Sequence, residues 1–427
     1  MIRKLKYPDP ATWQELVKRP VKDLEELEPG IRETFKLVQE QGDEALLQLA
    51  EKFDGVRPES LLATAEEIAG AGAELSDELK EAIQQAYSNI ELFHLQQKEE
   101  FNPVETMPGV KCWRKSVAIE KVGLYIPGGT APLFSTLLML GVPARIAGCR
   151  ELVLCTPPNK AGKVHPAILY TASILGIERV VKAGGAQAVA AMAFGTESVP
   201  AVNKIFGPGN QYVTVAKQLV NKAGVAIDLP AGPSEVLVMA DEAANPAFVA
   251  ADLLSQAEHG ADSQVILLTT SEDLLQQVGV ELEEQLAQLP REAFAAKALE
   301  NSVAIVLNDA QEMLRFSNLY APEHLILAVQ DFESIAEGVI NAGSVFLGNY
   351  TPESAGDYAS GTNHTLPTNG YARAYSGVSL DSFIKKITFQ HISPQGLQSI
   401  GRTVEVMAEA EGLQAHKNAV SIRLKEV

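Results

Sequence analysis

From Ser116 onward the chain alternates short apolar strands with helices, and this rhythm constrains the fold more than any other feature. Strands are expected over 117–126, 151–155, 180–183, 204–206 and 225–229, with helices over 135–147, 165–175 and 186–194 between them. Strands separated by helices of that length need crossover connections, which make them parallel neighbours in one sheet. A second run of the same kind follows, with strands over 265–269, 303–307, 325–328 and 344–347 and helices over 272–289, 310–320 and 332–341. A chain of 427 residues exceeds what one core organises, so the two runs imply two α/β units.

The ends read differently. Residues up to about Pro20 are polar and aromatic-tipped, and look like a docking arm anchored by Trp13. Helical patterns follow over 23–53 and 76–97; His94 on the second reads as a partly exposed surface histidine. From Asp381 a tail holds a short strand over 383–389. A helix follows from Ser393-Pro394, with Leu397, Ile400, Val404 and Met407 on one face. So small a piece cannot bury itself and must pack on the body or on a neighbouring subunit.

The formal net charge of −19 argues against nucleic acid or an anionic membrane as partner. Cys112, Cys149 and Cys155 show neither metal spacing nor a disulfide pattern, which fits a reducing cytoplasm. No apolar leader opens the sequence, and no uncharged run is long enough to span a bilayer.

Several stretches carry candidate chemistry. Asn245-Pro246 opens a helix with a cap residue and a proline at the first turn, and Gln256 and His259, three apart, leave the same face of its end. Alone, this stretch favours a capped helix end over a metal site, because the dipole already stabilises a histidine there. Glu323-His324 stands at the edge of a strand, where adjacent side chains point to opposite faces. The two are therefore expected not to bond each other, though they could serve two proton transfers on one substrate. Asp357 and His364 lie in a long polar loop over 348–377, and Glu411 and His416 lie in the tail. A polar loop at the surface explains the first pair on its own, and a capped surface helix the second. Glycine-rich turns, Gly128-Gly129, Gly184-Gly185, Gly207-Pro208-Gly209 and Gly232-Pro233-Ser234, follow strands and would let backbone approach a ligand beyond a parallel sheet. The dinucleotide fingerprint Gly-x-Gly-x-x-Gly and the P-loop are absent, as is His-Glu-x-x-His.

Taken together these blocks resemble histidinol dehydrogenases over nearly the whole chain. The resemblance rests on the residues at 123–129, 206–213, 228–235, 253–260, 321–325, 355–368 and 411–416. It implies two incomplete Rossmann-like domains with mostly parallel sheets, small N- and C-terminal pieces, and a domain-swapped homodimer. One domain would comprise 20–122 and 235–373 and carry most of the zinc and catalytic site. The second would be 123–234, on the NAD side, with 1–19 and 374–427 as terminal arm and swapped tail. The implied reaction is the oxidation of L-histidinol to L-histidine via L-histidinaldehyde, the final steps of histidine biosynthesis, with one Zn²⁺ per subunit and two NAD⁺ consumed per turnover. Gln256, His259 and Asp357, with His416 from a second subunit, would hold the zinc. Glu323 and His324 would be catalytic. Tyr125, Gln187 and Asn210 would contact NAD. Ser234, His364 and Glu411 would join His324 and the zinc ligands in holding the substrate. A zinc-dependent hydrolase using Glu323 as base is the competing reading of the same residues; it would need no NAD.

Overall fold

In the computed structural model, described for all residues except Met1, 21–24, 129–131 and 230–231, two parallel sheets form the body. The first has six strands in the spatial order Arg3–Lys6, Val303–Val306, Gln264–Thr269, Glu235–Ala240, His324–Ala328, Ser344–Leu347. The second has five, in the order Arg179–Lys182, Glu151–Thr156, Lys121–Tyr125, Lys204–Phe206, Ala226–Ile227. All pairings in both sheets are parallel. Parallel sheets need cover on both faces, and the central strands are correspondingly apolar: every residue of Gln264–Thr269 and of Glu235–Ala240 is buried.

The expected strand over 117–126 is two strands in different sheets. Lys121–Tyr125 joins the five-stranded sheet, whereas Val110–Ala118 pairs antiparallel with Ile384–Ile392 and Val104–Met107 in a small third sheet. Continuous β-propensity hides the break, which a bend at Glu120 marks between the two strands. The N-terminal arm is more than a dock. Arg3–Lys6 is an edge strand, and Trp13 is buried against Phe316, ring centroids 5.4 Å apart. The pattern over 23–53 is two helices, Glu28–Gln41 and Asp43–Asp54, broken at Gly42 with φ of 54°; the pattern's first residues, 23 and 24, lie outside the described part. Gly129 of the first glycine pair and Pro230-Ala231 of the 228–235 block lie outside it too.

These two helices and Asp77–Leu95 bury their apolar faces against helices that cover the five-stranded sheet, the first two against Gly185–Phe194 and the third against Phe134–Ala147. Ile31, Phe35, Val38 and Leu46 share a core with Val153 and Met192, and Ile83 and Ile90 share one with Leu124 and Leu137. His94 points into that core and is fully buried, not surface-exposed. A helix reading could not see this, because a histidine is also accepted inside when its Nδ1 finds a carbonyl, here that of Ile90 at 2.8 Å.

The tail helices Pro394–Ala410 and Gln414–Leu424 pack on each other, with Gly401 seated against Leu424. They leave Met407 and Ile422 more than half exposed. Among the described residues, no helix is long and apolar enough to cross a membrane.

Candidate active site

Three segments converge where the six-stranded sheet meets the helix Phe134–Ala147 of the five-stranded unit. The first is Pro246–Ala257. Asn245 caps it, its side chain accepting from the Ala247 N–H at 2.9 Å, and Val249, Ala250, Leu253, Leu254 and Ala257 bury its inner stripe. Gln256, one residue from the helix end, is carried inward and is 1% exposed, while His259 emerges just past the end at the surface. The Gln256 amide donates to the Glu235 carbonyl at 3.2 Å and lies 3.0 Å from His324 Nδ1, and its Oε1 has no partner.

The second segment brings Glu323 and His324. Alternation along a strand would send them to opposite faces, but they converge, with His324 Nδ1 3.6 Å from Glu323 Oε2. The strand begins only at His324. Glu323 precedes it, after Ala321 in a left-handed conformation and Pro322, so strand alternation does not govern its side chain. The 3.6 Å separation is no hydrogen bond, as expected. Each residue instead bonds the strand Glu235–Ala240: Glu323 Oε2 accepts from the Glu235 N–H at 2.9 Å, and His324 Nδ1 lies 3.1 Å from the Glu235 carbonyl. His324 Nε2 is buried, has no hydrogen-bond partner, and faces Asp357 Oδ1 at 3.7 Å.

The third segment is the long loop, which is ordered and contains a short helix, Glu353–Tyr358, that propensity did not reveal. Asp357 stands one turn from Glu353, and with His259 these two offer ligand atoms all within 4.8 Å of one another. Glu353 was missed at the sequence level; its i, i+4 spacing to Asp357 was the available signal. His364 Nδ1 donates to the Asp357 carbonyl at 2.8 Å, and its Nε2 meets the Thr136 hydroxyl at 3.0 Å. Burial holds the His364 imidazole below its ordinary value. Asn363 donates to the Met139 carbonyl at 2.6 Å, so this loop ties the two units together. Ser234 immediately precedes Glu235 and is half-buried. Glu411 and His416 are exposed on the tail, and His416 is not among the groups gathered around His259 in this chain.

Electrostatics at the junction favour a cation. Burial pushes the Glu353 carboxyl up to about 8, with His324 opposing. Burial also acts to raise Asp357, but His324, His364 and His259 outweigh it and hold this carboxyl below its usual value. Burial works to lower His324, yet Glu323, Glu353 and Asp357 together hold it well above its ordinary value. Carboxylates crowded around one imidazole, an unpartnered Gln256 Oε1 and a nearby His259 make a mixed N/O donor set of the kind zinc accepts. No thiol takes part. Cys155 is buried with its thiol pushed up, and burial pushes Cys149 up to about 11.

The remaining candidates line a separate cleft of about 1410 Å³ at the carboxyl ends of the five-stranded sheet. Tyr125, Gln187 and Asn210 all lie on its wall, with Gly128, Gly184 and Gly185. The Tyr125 hydroxyl accepts from the Gly185 N–H at 3.1 Å, and burial pushes this phenol up to about 12. Asn210 caps the helix Gln211–Lys222, its Oδ1 3.1 Å from the Tyr212 N–H. His165 caps another helix, its Nδ1 accepting from the Ala167 N–H at 3.2 Å. The two sites use opposite ends of their sheets: the cleft follows the carboxyl ends, whereas Glu235 and His324 are the first residues of their strands.

A family model for histidinol dehydrogenase matches residues 17–424. The chain belongs to the histidinol dehydrogenase family. It is 62% identical to the histidinol dehydrogenase of Bacteroides thetaiotaomicron over 424 residues, 99% of each chain, and 55% identical to that of Yersinia pestis over 412 residues, 96% of this chain and 92% of that one. The crystal structure of histidinol dehydrogenase from Elizabethkingia anophelis matches it with a TM-score of 0.98 at 58% identity, covering 100% of this chain and 98% of the other. Membership makes this chain an oxidoreductase of histidine biosynthesis.

Proposed function

We propose that the chain oxidises L-histidinol to L-histidine through L-histidinaldehyde, reducing two NAD⁺ per turnover. The observation that carries this reading, with the family match, is the bare, buried Nε2 of His324 beside Glu323 and the His259–Glu353–Asp357 group. In its neutral form, with Nδ1–H donated to the Glu235 carbonyl, His324 carries its lone pair on Nε2, and that atom serves as base toward the substrate hydroxyl. NAD⁺, held against Tyr125, Gln187 and Asn210, accepts the hydride of each step as a co-substrate. Between the steps Glu323 takes a proton from the water that adds to the aldehyde, while His324 returns its proton to the former carbonyl oxygen, giving the neutral hydrate. His324 then takes one hydroxyl proton of the hydrate as the second hydride leaves, giving the carboxylic acid, which ionises to the carboxylate.

Gln256, His259 and Asp357 would hold one Zn²⁺, with His416 of a second copy as fourth ligand; bound there, zinc supplies a grip on the substrate's imidazole and amine that fixes their position. Ser234, His364 and the second copy's Glu411 complete the proposed substrate pocket. The tail's exposed Met407 and Ile422 support a swapped homodimer. The domain division stays a proposal: 20–122 with 235–373 as one Rossmann-like unit, 123–234 as the other, and 1–19 and 374–427 as terminal pieces, although the helices within 28–95 share their cores with 123–234. Three free cysteines support a reducing, cytoplasmic setting. The test is NADH formed per histidinol, with and without a chelator. Two NADH per histidinol, lost on chelation and restored by Zn²⁺, is the expected result. NAD-independent turnover would favour a hydrolase instead.

A further inference from the structure

The geometry points to Arg19, in the N-terminal arm, as the residue that positions the Glu323–His324 pair, acting through Glu235 and through the turn 320–322. The inference rests on the proposed roles of Glu323 and His324.

Arg19 reaches from the arm into the base of the six-stranded sheet, where its side chain is 8% exposed. Its Nε donates to Glu235 Oε1 at 3.0 Å and its Nη2 to Glu235 Oε2 at 2.8 Å, a two-pronged clasp. The Asn369 N–H adds a third donor to Oε1 at 2.6 Å. Burial raises the Glu235 carboxyl above its ordinary value, with Arg19 opposing, and only donors face its two oxygens. The arm is itself secured, since Gln264 Nε2 donates to the Lys18 carbonyl at 3.1 Å.

Glu235 is where both candidate catalytic groups are anchored. Its N–H holds Glu323 and its carbonyl faces His324 Nδ1, so a shift of this residue moves both. The same Nη2 also donates to the Tyr320 carbonyl at 2.7 Å, and the guanidinium lies 3.7 Å above the Tyr320 ring. The residue after Tyr320 is Ala321, with φ of 56°, a strained conformation for a residue with a side chain. Glu323 follows two residues later. One guanidinium thus pins the strand start that the pair leans on and the strained turn that delivers the pair. A lysine carries the charge but cannot make this fork or lie flat on the ring.

The experiment compares wild type, R19A and R19K, each assayed with histidinol and with histidinaldehyde, with zinc content, melting temperature and KM for NAD⁺ measured alongside. A displacement near 1 Å costs on the order of a hundredfold, so R19A is expected to lose about that much kcat with both substrates while keeping zinc and KM for NAD⁺. Guanidinium added below denaturing levels should restore part of the R19A turnover, and R19K should stay impaired. A merely structural role would lower melting temperature and zinc together and would not respond to guanidinium; that pattern overturns the proposal. So does a folded R19A, or a folded R19K if R19A fails to fold, with kcat within about threefold of wild type, far short of the loss that misplacement causes. A wild type that forms no NADH from histidinol, or an E323Q variant with wild-type turnover, overturns the underlying reading together with this one. A wild type that is active, with E323Q impaired and R19A unimpaired, overturns this one alone.

Discussion

Replacing Gly207 by alanine should damage NAD⁺ use while leaving the zinc group alone. Gly207 follows the strand Lys204–Phe206 and has φ of 127°, a conformation that side chains resist. A Cβ built there lies 2.0 Å from the Tyr125 carbonyl oxygen, a backbone atom of a central strand that cannot swing aside. Reaching the 3.4 Å at which ordinary contact begins needs a movement of about 1.4 Å, a distance at which misplacement costs on the order of a hundredfold. The loop cannot give either. Its N–H donates to Asp228 Oδ2 at 2.9 Å, its carbonyl accepts from Lys217 Nζ at 2.9 Å, and Lys217 and Asp228 are themselves a buried ion pair. Tyr125 and Asn210, on either side of the contact, line the proposed NAD⁺ cleft. We therefore expect kcat/KM for NAD⁺ to fall about a hundredfold, about 2.7 kcal/mol of transition-state stabilisation. Backbone strain should remove a further ~1–3 kcal/mol of stability. Steady-state NADH formation at varied NAD⁺, with thermal melting and zinc analysis, reads all three. A Gly207→Ala protein with wild-type kcat/KM for NAD⁺ and unchanged melting temperature would refute the reasoning.

Glu323→Gln should slow histidinaldehyde oxidation more than histidinol oxidation, because only the second step needs an activated water; equal loss in separate assays of the two substrates would make Glu323 a positional residue. His416→Ala mixed with His259→Ala should regain partial activity through heterodimers, in which one site carries both lesions and the other neither; no recovery in a verified mixed dimer would count against a shared site. His94 is buried with Nε2 unpartnered, and burial lowers its folded value below that of the unfolded chain, near 6.5. Its contribution to stability is thus full above about pH 6.5 and is lost as pH falls through the lower folded value. Melting curves from pH 8 to 5 should therefore show a shallower decline in His94→Leu than in wild type.

The sequence made the parallel sheets legible because buried strands are written as runs such as Val-Ile-Leu-Leu at 265–268, which local patterning reports. Two of the glycine turns, at Gly128 and at Gly184-Gly185, line the cleft beyond the five-stranded sheet; those at Gly207-Pro208-Gly209 and Gly232-Pro233-Ser234 are not among its lining residues. What stayed hidden depends on distance along the chain. Arg19 and Glu235 are separated by 216 residues, and neither carries a local signal that it belongs beside His324. Glu353 hid in a stretch rich in turn formers, where tertiary docking through Asn363 and His364 makes a helix that propensity does not. The convergence of Glu323 and His324 was missed for a backbone reason: one left-handed alanine displaces the strand start by a residue. Those ligand roles that rest on the family resemblance, above all that of His416, were never written in local spacing.

The account turns on the ion that Gln256, His259 and Asp357 are placed to share. Crystals of the zinc-loaded protein, with anomalous scattering recorded on either side of the zinc edge, test it most directly. The account predicts one peak per chain, within bonding distance of Gln256 Oε1, His259 and Asp357 and of a His416 imidazole from a second chain. A zinc-loaded structure with no peak there, or with both copies of His416 turned to solvent, would contradict it.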